Sequence, residues 1–277
     1  MGDFKSYFTD SSVDWTPQSH YGARVGVPWQ MDGNGPNSGL NDTVTLAGVP
    51  GNWGGCGDCT VAGMAHSLTL ANFEVPNSPS LPSIPSANTC VTTYCQLAGC
   101  TPAELFSNPT KYDTGVGIGA MLATWRTSGL FGVAAGGVFA PVNPANMGDV
   151  RNGLHLSGGL LIGIQFQNAQ IYGGQQMGSW HWVPAKMDDG RTNPAAAIVG
   201  GHTILLTGYT TSQGLFWGVT WGTLIPIAES FLVNAMDEAY ALVWPQMIKY
   251  GKGPTGLDVR RLEADIKKLV PTWWEPT

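Results

Sequence analysis

A thiol and an imidazole stand in two glycine-rich settings that suit nucleophilic chemistry. Residues 51–60 read Gly-Asn-Trp-Gly-Gly-Cys-Gly-Asp-Cys-Thr, and residues 200–209 read Gly-Gly-His-Thr-Ile-Leu-Leu-Thr-Gly-Tyr. A thiolate, not a thiol, attacks a carbonyl, so a nucleophilic cysteine needs surroundings that favour the anion at neutral pH. A helix start supplies them. Gly54, Gly55 and Gly57 interrupt regular structure, whereas Val61, Met64, Ala65 and Leu68 recur at helical spacing, so a helix is predicted over 60–73 with Cys59 at its mouth. There the orphan N–H groups and the positive dipole end lower a thiol's pKa. The same N–H groups can hold the oxyanion of a tetrahedral intermediate.

His202 is expected to open a short buried strand. Gly200 and Gly201 precede it, Ile204, Leu205 and Leu206 form the apolar run, and Gly208-Tyr209 ends it. Such a strand would hold an imidazole rigidly opposite a helix start.

With these two segments in view, the chain resembles the papain-like cysteine peptidases. Cys56-Gly57-Asp58-Cys59 is similar to their Cys-Gly-Ser-Cys signature, Gly200-Gly201-His202 to their Gly-His-Ala strand, and Val219-Thr220-Trp221-Gly222 to their Asn-Ser-Trp-Gly segment. The order is the family's, and the separation of 143 positions from Cys59 to His202 falls within the roughly 130–150 typical of it. More narrowly, the run 57–66, the runs 122–129 and 158–164, and Asp237-Glu238-Ala239-Tyr240-Ala241 resemble a papain-like group of phages and bacteria.

The resemblance implies an α+β fold in which a helical subdomain (about 51–150) faces a strand-rich, barrel-like subdomain (about 151–250) across a cleft. It also implies Cys59 as nucleophile and His202 as proton shuttle, with no cofactor and no metal. Two positions depart from the family pattern. Val219 stands where the family has the asparagine that orients the histidine, and valine has no side-chain hydrogen bond to offer. Thr220, Asp237 or a backbone carbonyl is left for that role, with Asp237 ranked first because a carboxylate also stabilises an imidazolium. Trp53 replaces the family's oxyanion glutamine, and Asn52, one residue back, is the expected amide donor.

With Cys59 assigned as nucleophile, Cys56, Cys90, Cys95 and Cys100 remain. The family's first bridge would match Cys56 with Cys95 or Cys100; the other reading is four reduced, buried thiols. A zinc site fits less well, because Cys90, Cys95 and Cys100 are spaced more loosely than metal-binding pairs. A redox Cys-x-x-Cys pair should follow a strand in a βαβ unit, whereas about 50 residues rich in Gly, Pro, Asn and Asp precede this one. His66 falls on nearly the face of Cys59 but about 10 Å along the helix, so it reads as structural. His181, between Trp180 and Trp182, belongs to a cleft wall or to packing, and no motif in the sequence converges on His20 or His155, which are assigned no role.

Around these motifs, residues 1–50 read as an extended arm and 75–89 as a proline- and serine-rich surface loop. A helix is expected over 117–129, strands over 160–166 and 214–220, and an amphipathic helix over 257–269. The stretch 227–243 is ambiguous, with 237–241 compatible with helix. Only 12% of residues are charged, about half the usual quarter, so the surface is unusually neutral and favours a homo-oligomer or a place in a larger particle. A net charge of −6 without a basic stripe argues against nucleic acid, and no run of 18 apolar residues would span a membrane. No secretory signal is evident, so a cytoplasmic or virion-associated location is expected. Two functions follow: a cysteine-dependent hydrolase of peptide or amide bonds, or an inactive papain-like structural or binding protein of an assembly such as a phage virion. The first ranks higher because both principal catalytic positions are filled.

Overall fold

The helix that begins at Cys59 is buried on every side, and the rest of the fold is arranged around it. The computed structural model describes residues 56–74, 85–167, 198–210, 214–220 and 223–248, together with 258, 260, 261 and 264. Helix α1 (Cys59–Glu74) carries no basic residue in its last turn, and residues 60–72 are all buried. The four-residue apolar face read from the sequence is therefore too narrow, since Ala62, Leu70 and Ala71 are as deeply enclosed. Small and apolar residues all round make a core helix rather than a surface one.

Four more helices follow: α2 (Ala87–Ala98), α3 (Pro102–Ser107), α4 (Pro109–Tyr112) and α5 (Ile118–Ser128). The expected loop over 75–89 is shorter than it reads, because Ser86 caps α2 by accepting from the Thr89 N–H, and helix begins at Ala87. Positions 75–84 lie outside the described residues. Helix α5 matches its expectation within a residue at each end: Ile118, Met121, Leu122 and Trp125 are buried, and Gly129 closes it at φ 77°.

The second half supplies β1 (Val138–Pro141), α6 (Met147–Ser157), β2 (Leu160–Gln167), β3 (Ile198–Thr210), β4 (Leu215–Thr220), β5 (Thr223–Ala228), α7 (Glu229–Ala235) and β6 (Met236–Val243). All strand pairings are antiparallel, in the spatial order β1-β6-β2-β3-β4-β5. The barrel-like closure expected from the resemblance is not formed among the described residues: the sheet is open, with β1 and β5 at its edges.

Both faces of the sheet are covered, so its central strands read as near-continuous apolar runs. On one face Leu161, Tyr240 and Leu242 join Met64 and Leu68 of α1 and Trp125 of α5 in a single core. On the other, Ile162, Ile204, Leu206 and Phe216 pack with Val150 and Leu154 of α6 and Phe231 of α7. A Cβ on Gly63 would come within 2.8 Å of Leu161 Cδ1 and 3.2 Å of Thr203 Cγ2, so this glycine lets α1 lie close on β2 and β3.

Two sequence expectations need correction. Strand β3 starts four residues before His202 and runs through Gly208-Tyr209, so the histidine does not open it. Glycine tolerates the extended chain, and pairing with β2 on one side and β4 on the other overrides its low strand propensity. Residues 237–241 are strand, not helix; the helix of this stretch is α7, immediately before. Ala239 and Ala241 face one core while Tyr240 and Leu242 face the other, a period of two on a strand buried on both sides. Of the expected 257–269 helix, residues 260, 261 and 264 are helical, and the Arg261 N–H donates to Asp258 Oδ1 at 3.0 Å. The remainder, and the arm over 1–50, lie outside the described residues.

Candidate functional site

Cys59 is the first residue of α1 and is partly exposed, whereas Cys56, three residues before it, is buried. The Ala62 N–H donates to the Asp58 carbonyl at 2.9 Å, which closes the first turn of the helix. The N–H groups of Cys59, Thr60 and Val61 therefore precede the first intrahelical bond, as the sequence reading requires of an oxyanion site. Asp58, 2% exposed, stands at the helix mouth, where a carboxylate suits the dipole.

The helix start is pinned from two directions. Thr60 Oγ1 donates to the Val116 carbonyl at 2.8 Å and lies 3.0 Å from Thr203 Oγ1. Because its one proton goes to Val116, Thr60 accepts from Thr203 in the second contact. The residue after Cys59 thus touches the residue after His202. On the other flank the Gly57 N–H donates to Asp113 Oδ1 at 2.7 Å.

His202 is the fifth residue of β3 and is buried. Burial lowers its pKa to about 4, so at neutral pH the ring is an uncharged imidazole. Its Nε2 lies 2.6 Å from Thr220 Oγ1. The register explains how Thr220 comes to be there. Leu205 pairs with Val219, and both pack under Leu70 of α1. Thr220, one residue on, faces the opposite side of the sheet, as His202 does by the same alternation. The motif resemblance puts Val219 in the orienting position, but the strand geometry puts Thr220 next to the imidazole.

Asp237 is exposed on β6 and is separated from β3 by β2. A Cβ on Gly163 would approach both Asp237 Oδ1 and Glu238 Cγ, so the two carboxylate side chains lie over that glycine. Asn52, Trp53 and His181 lie outside the described residues. His66, in the middle of α1, is buried, and burial lowers its pKa to about 3.

None of the five cysteines is joined in a disulfide. Cys56, Cys90 and Cys95 share a small core with Tyr94 and Leu105, and Cys100 packs against it. Burial first, then the charges of Asp58 and Asp113, push the Cys56 thiol well up, while burial and a hydrogen bond with Cys100 push Cys95 up to about 12. Of the Cys56/Cys59 pair, Cys56 is held as a neutral thiol, which leaves the partly exposed Cys59 as the nucleophile candidate. Among the described residues, no group of three His, Cys, Asp or Glu is placed to hold a metal ion, and no helix is long and apolar enough to cross a membrane.

The sequence reading assigns no role at the site to Thr60, Thr203 or Asp113. Threonines beside a cysteine and a histidine carry no signal in a single chain, because their hydroxyls acquire meaning only when helix and strand are brought together. No family model matches the chain, and no curated protein matches it. Among solved structures it is similar to xylellain, a cysteine protease from Xylella fastidiosa, at 13% identity and a TM-score of 0.46, over 83% of this chain and 90% of that one.

Proposed function

We propose that this protein is a cysteine-dependent hydrolase of peptide or amide bonds, with Cys59 as nucleophile and His202 as its base. The observation that carries the reading is a partly exposed Cys59 as first residue of a helix whose start is tied to β3, the strand of His202, by the Thr60–Thr203 hydrogen bond, although by strand alternation the His202 ring leaves β3 on the face opposite to Thr203. An uncharged imidazole is the form that accepts a proton. In the tautomer that donates Nε2–H to Thr220 Oγ1, Nδ1 carries the lone pair that takes the thiol proton as sulfur attacks the carbonyl carbon. The resulting oxyanion is held by the Cys59 N–H at the helix mouth, with the Asn52 amide as second donor. His202 then returns its proton to the departing amine, leaving a thioester that water cleaves with the same imidazole as base. Thr220 orients the ring but, unlike a carboxylate, adds no charge to stabilise the imidazolium.

The test is covalent labelling and turnover on the full chain. Cys59 should be alkylated by iodoacetamide well ahead of Cys100, the other partly exposed thiol, and Cys59→Ala should abolish hydrolysis of a fluorogenic peptide set. Alkylation of Cys59 no faster than Cys100, or hydrolysis that persists in Cys59→Ala, overturns the reading.

A further inference from the structure

We propose that Asp113 is a positioning residue for Cys59: it fixes the glycine turn that aims the nucleophile at the mouth of α1. The inference rests on the hydrolase reading for its consequence in catalysis, and on hydrogen bonds alone for the positioning itself.

Asp113 ends α4, and the short segment that follows it hydrogen-bonds the chain on both flanks of Cys59. Upstream, the Gly57 N–H donates to Asp113 Oδ1 at 2.7 Å. Downstream, the Thr60 hydroxyl donates to the Val116 carbonyl at 2.8 Å. One loop of four residues thus holds position 57 by a carboxylate and position 60 by a carbonyl, with Cys59 between them. A hydrogen bond to a carboxylate is about twice as strong as a neutral one.

The carboxylate is itself fixed. Tyr94 of α2 donates its hydroxyl to the same Oδ1 at 2.9 Å, and the Gly115 N–H donates to Tyr94 Oη at 3.1 Å. The chain Gly115 to Tyr94 to Asp113, with Gly57 as the second donor, leaves Asp113 little rotamer freedom. Gly115 has φ 75°, a conformation that suits glycine and lets the loop fold back so that its N–H meets the tyrosine. Contact with the turn is close: a Cβ on Gly57 would stand 2.9 Å from Asp113 Oδ1 and 3.7 Å from Gly115 Cα. A side chain at 57 would therefore push turn and loop apart.

Asp113 is not placed to act on a substrate. Its Oδ1 accepts from the backbone two residues before the nucleophile, so its influence passes through the path of residues 57–59 and through the direction of the Cys59 N–H. A misplacement of about 1 Å at a reacting group costs on the order of 100-fold in rate.

The experiment compares wild type with Asp113→Ala, Asp113→Asn and Tyr94→Phe in two measurements on the full chain. Backbone hydrogen exchange over 57–60 reads the positioning directly. It should quicken at least about tenfold in Asp113→Ala and return near wild type in Asp113→Asn, whose Oδ1 still accepts the Gly57 N–H. Tyr94→Phe, which keeps the carboxylate and removes its second donor, should fall between them. The iodoacetamide rate at Cys59 and kcat on a fluorogenic peptide should follow the same order, with KM and the urea midpoint of Asp113→Asn unchanged. Wild-type exchange over 57–60 in Asp113→Ala overturns the positioning role whatever the activity shows. Quickened exchange beside a wild-type Cys59 no more reactive than Cys100 upholds the positioning role and overturns the hydrolase instead. If Asp113→Ala does not fold, the comparison of Tyr94→Phe with Asp113→Asn decides, and equal exchange in those two and wild type overturns the proposal.

Discussion

At the scale of single residues, the contact between His202 and Thr220 has the sharpest consequence. A hydroxyl at 2.6 Å from Nε2 fixes the ring's rotation, but it holds no charge. Thr220→Val, which keeps the shape and removes the hydroxyl, should lower kcat on a fluorogenic peptide by about tenfold or more, and Thr220→Ser should restore most of it. Asp237→Asn should leave kcat within about twofold, since Asp237 stands beyond β2 from the histidine. Equal rates for Thr220→Val and wild type would remove Thr220 from the site. The helix start at Cys59 was legible because glycines followed by helical spacing make it visible in one dimension. Thr220 was legible only as one option among three. Choosing between valine and threonine at 219 and 220 requires the strand register, and a shift of one residue reverses the face of every side chain.

At the scale of elements, the glycine that ends α5 shows how turn chemistry sets the packing. Gly129 has φ 77°, and a Cβ there would collide with the Val133 carbonyl as the chain folds back through the Leu130–Val133 bridge. Gly129→Ala should lower the urea-unfolding free energy by more than about 1 kcal/mol, with m unchanged. Gly115→Ala, also at positive φ but with open space around its Cβ, should cost less. Helix α5 was legible to within a residue because its apolar stripe and its terminal glycine agree. The 237–241 segment was not. Met-Asp-Glu-Ala-Tyr-Ala-Leu-Val contains good helix formers, and only pairing on both sides, with β1 and β2, makes it a strand. Propensity is local, whereas a strand's partners lie about 75 to 100 residues away in this chain.

At the scale of the whole molecule, two buried histidines make stability depend on pH. Burial lowers His66 to about 3 and His202 to about 4, below the value near 6.5 of an exposed histidine. The unfolded chain therefore binds more protons than the folded one between these limits, and stability rises with pH across that range. It is fully present above about pH 6.5 and is lost as pH falls through 6.5 towards 4 and below. The urea midpoint should drop over that window, and His66→Gln should flatten the decline by its own share. Equal slopes for wild type and His66→Gln would show that His66 is not held neutral. The open sheet belongs to this scale too. Among the described residues the sheet does not close, and whether edge strands meet as the resemblance implies is something no motif encodes.

Because residues 60–72 of α1 are enclosed while Cys59 reaches water, the chain carries its own gauge of breathing. Cys56, Cys90 and Cys95 are sealed in one small core beneath the helix mouth, while Cys59 and Cys100 are within reach of a reagent. In the native protein a bulky maleimide should therefore consume two equivalents promptly. The other three should follow only as fast as this part of the molecule opens, so the lag between the two phases times the loosening of the helical layer. Any ligand that seats itself across the helix mouth should lengthen that lag.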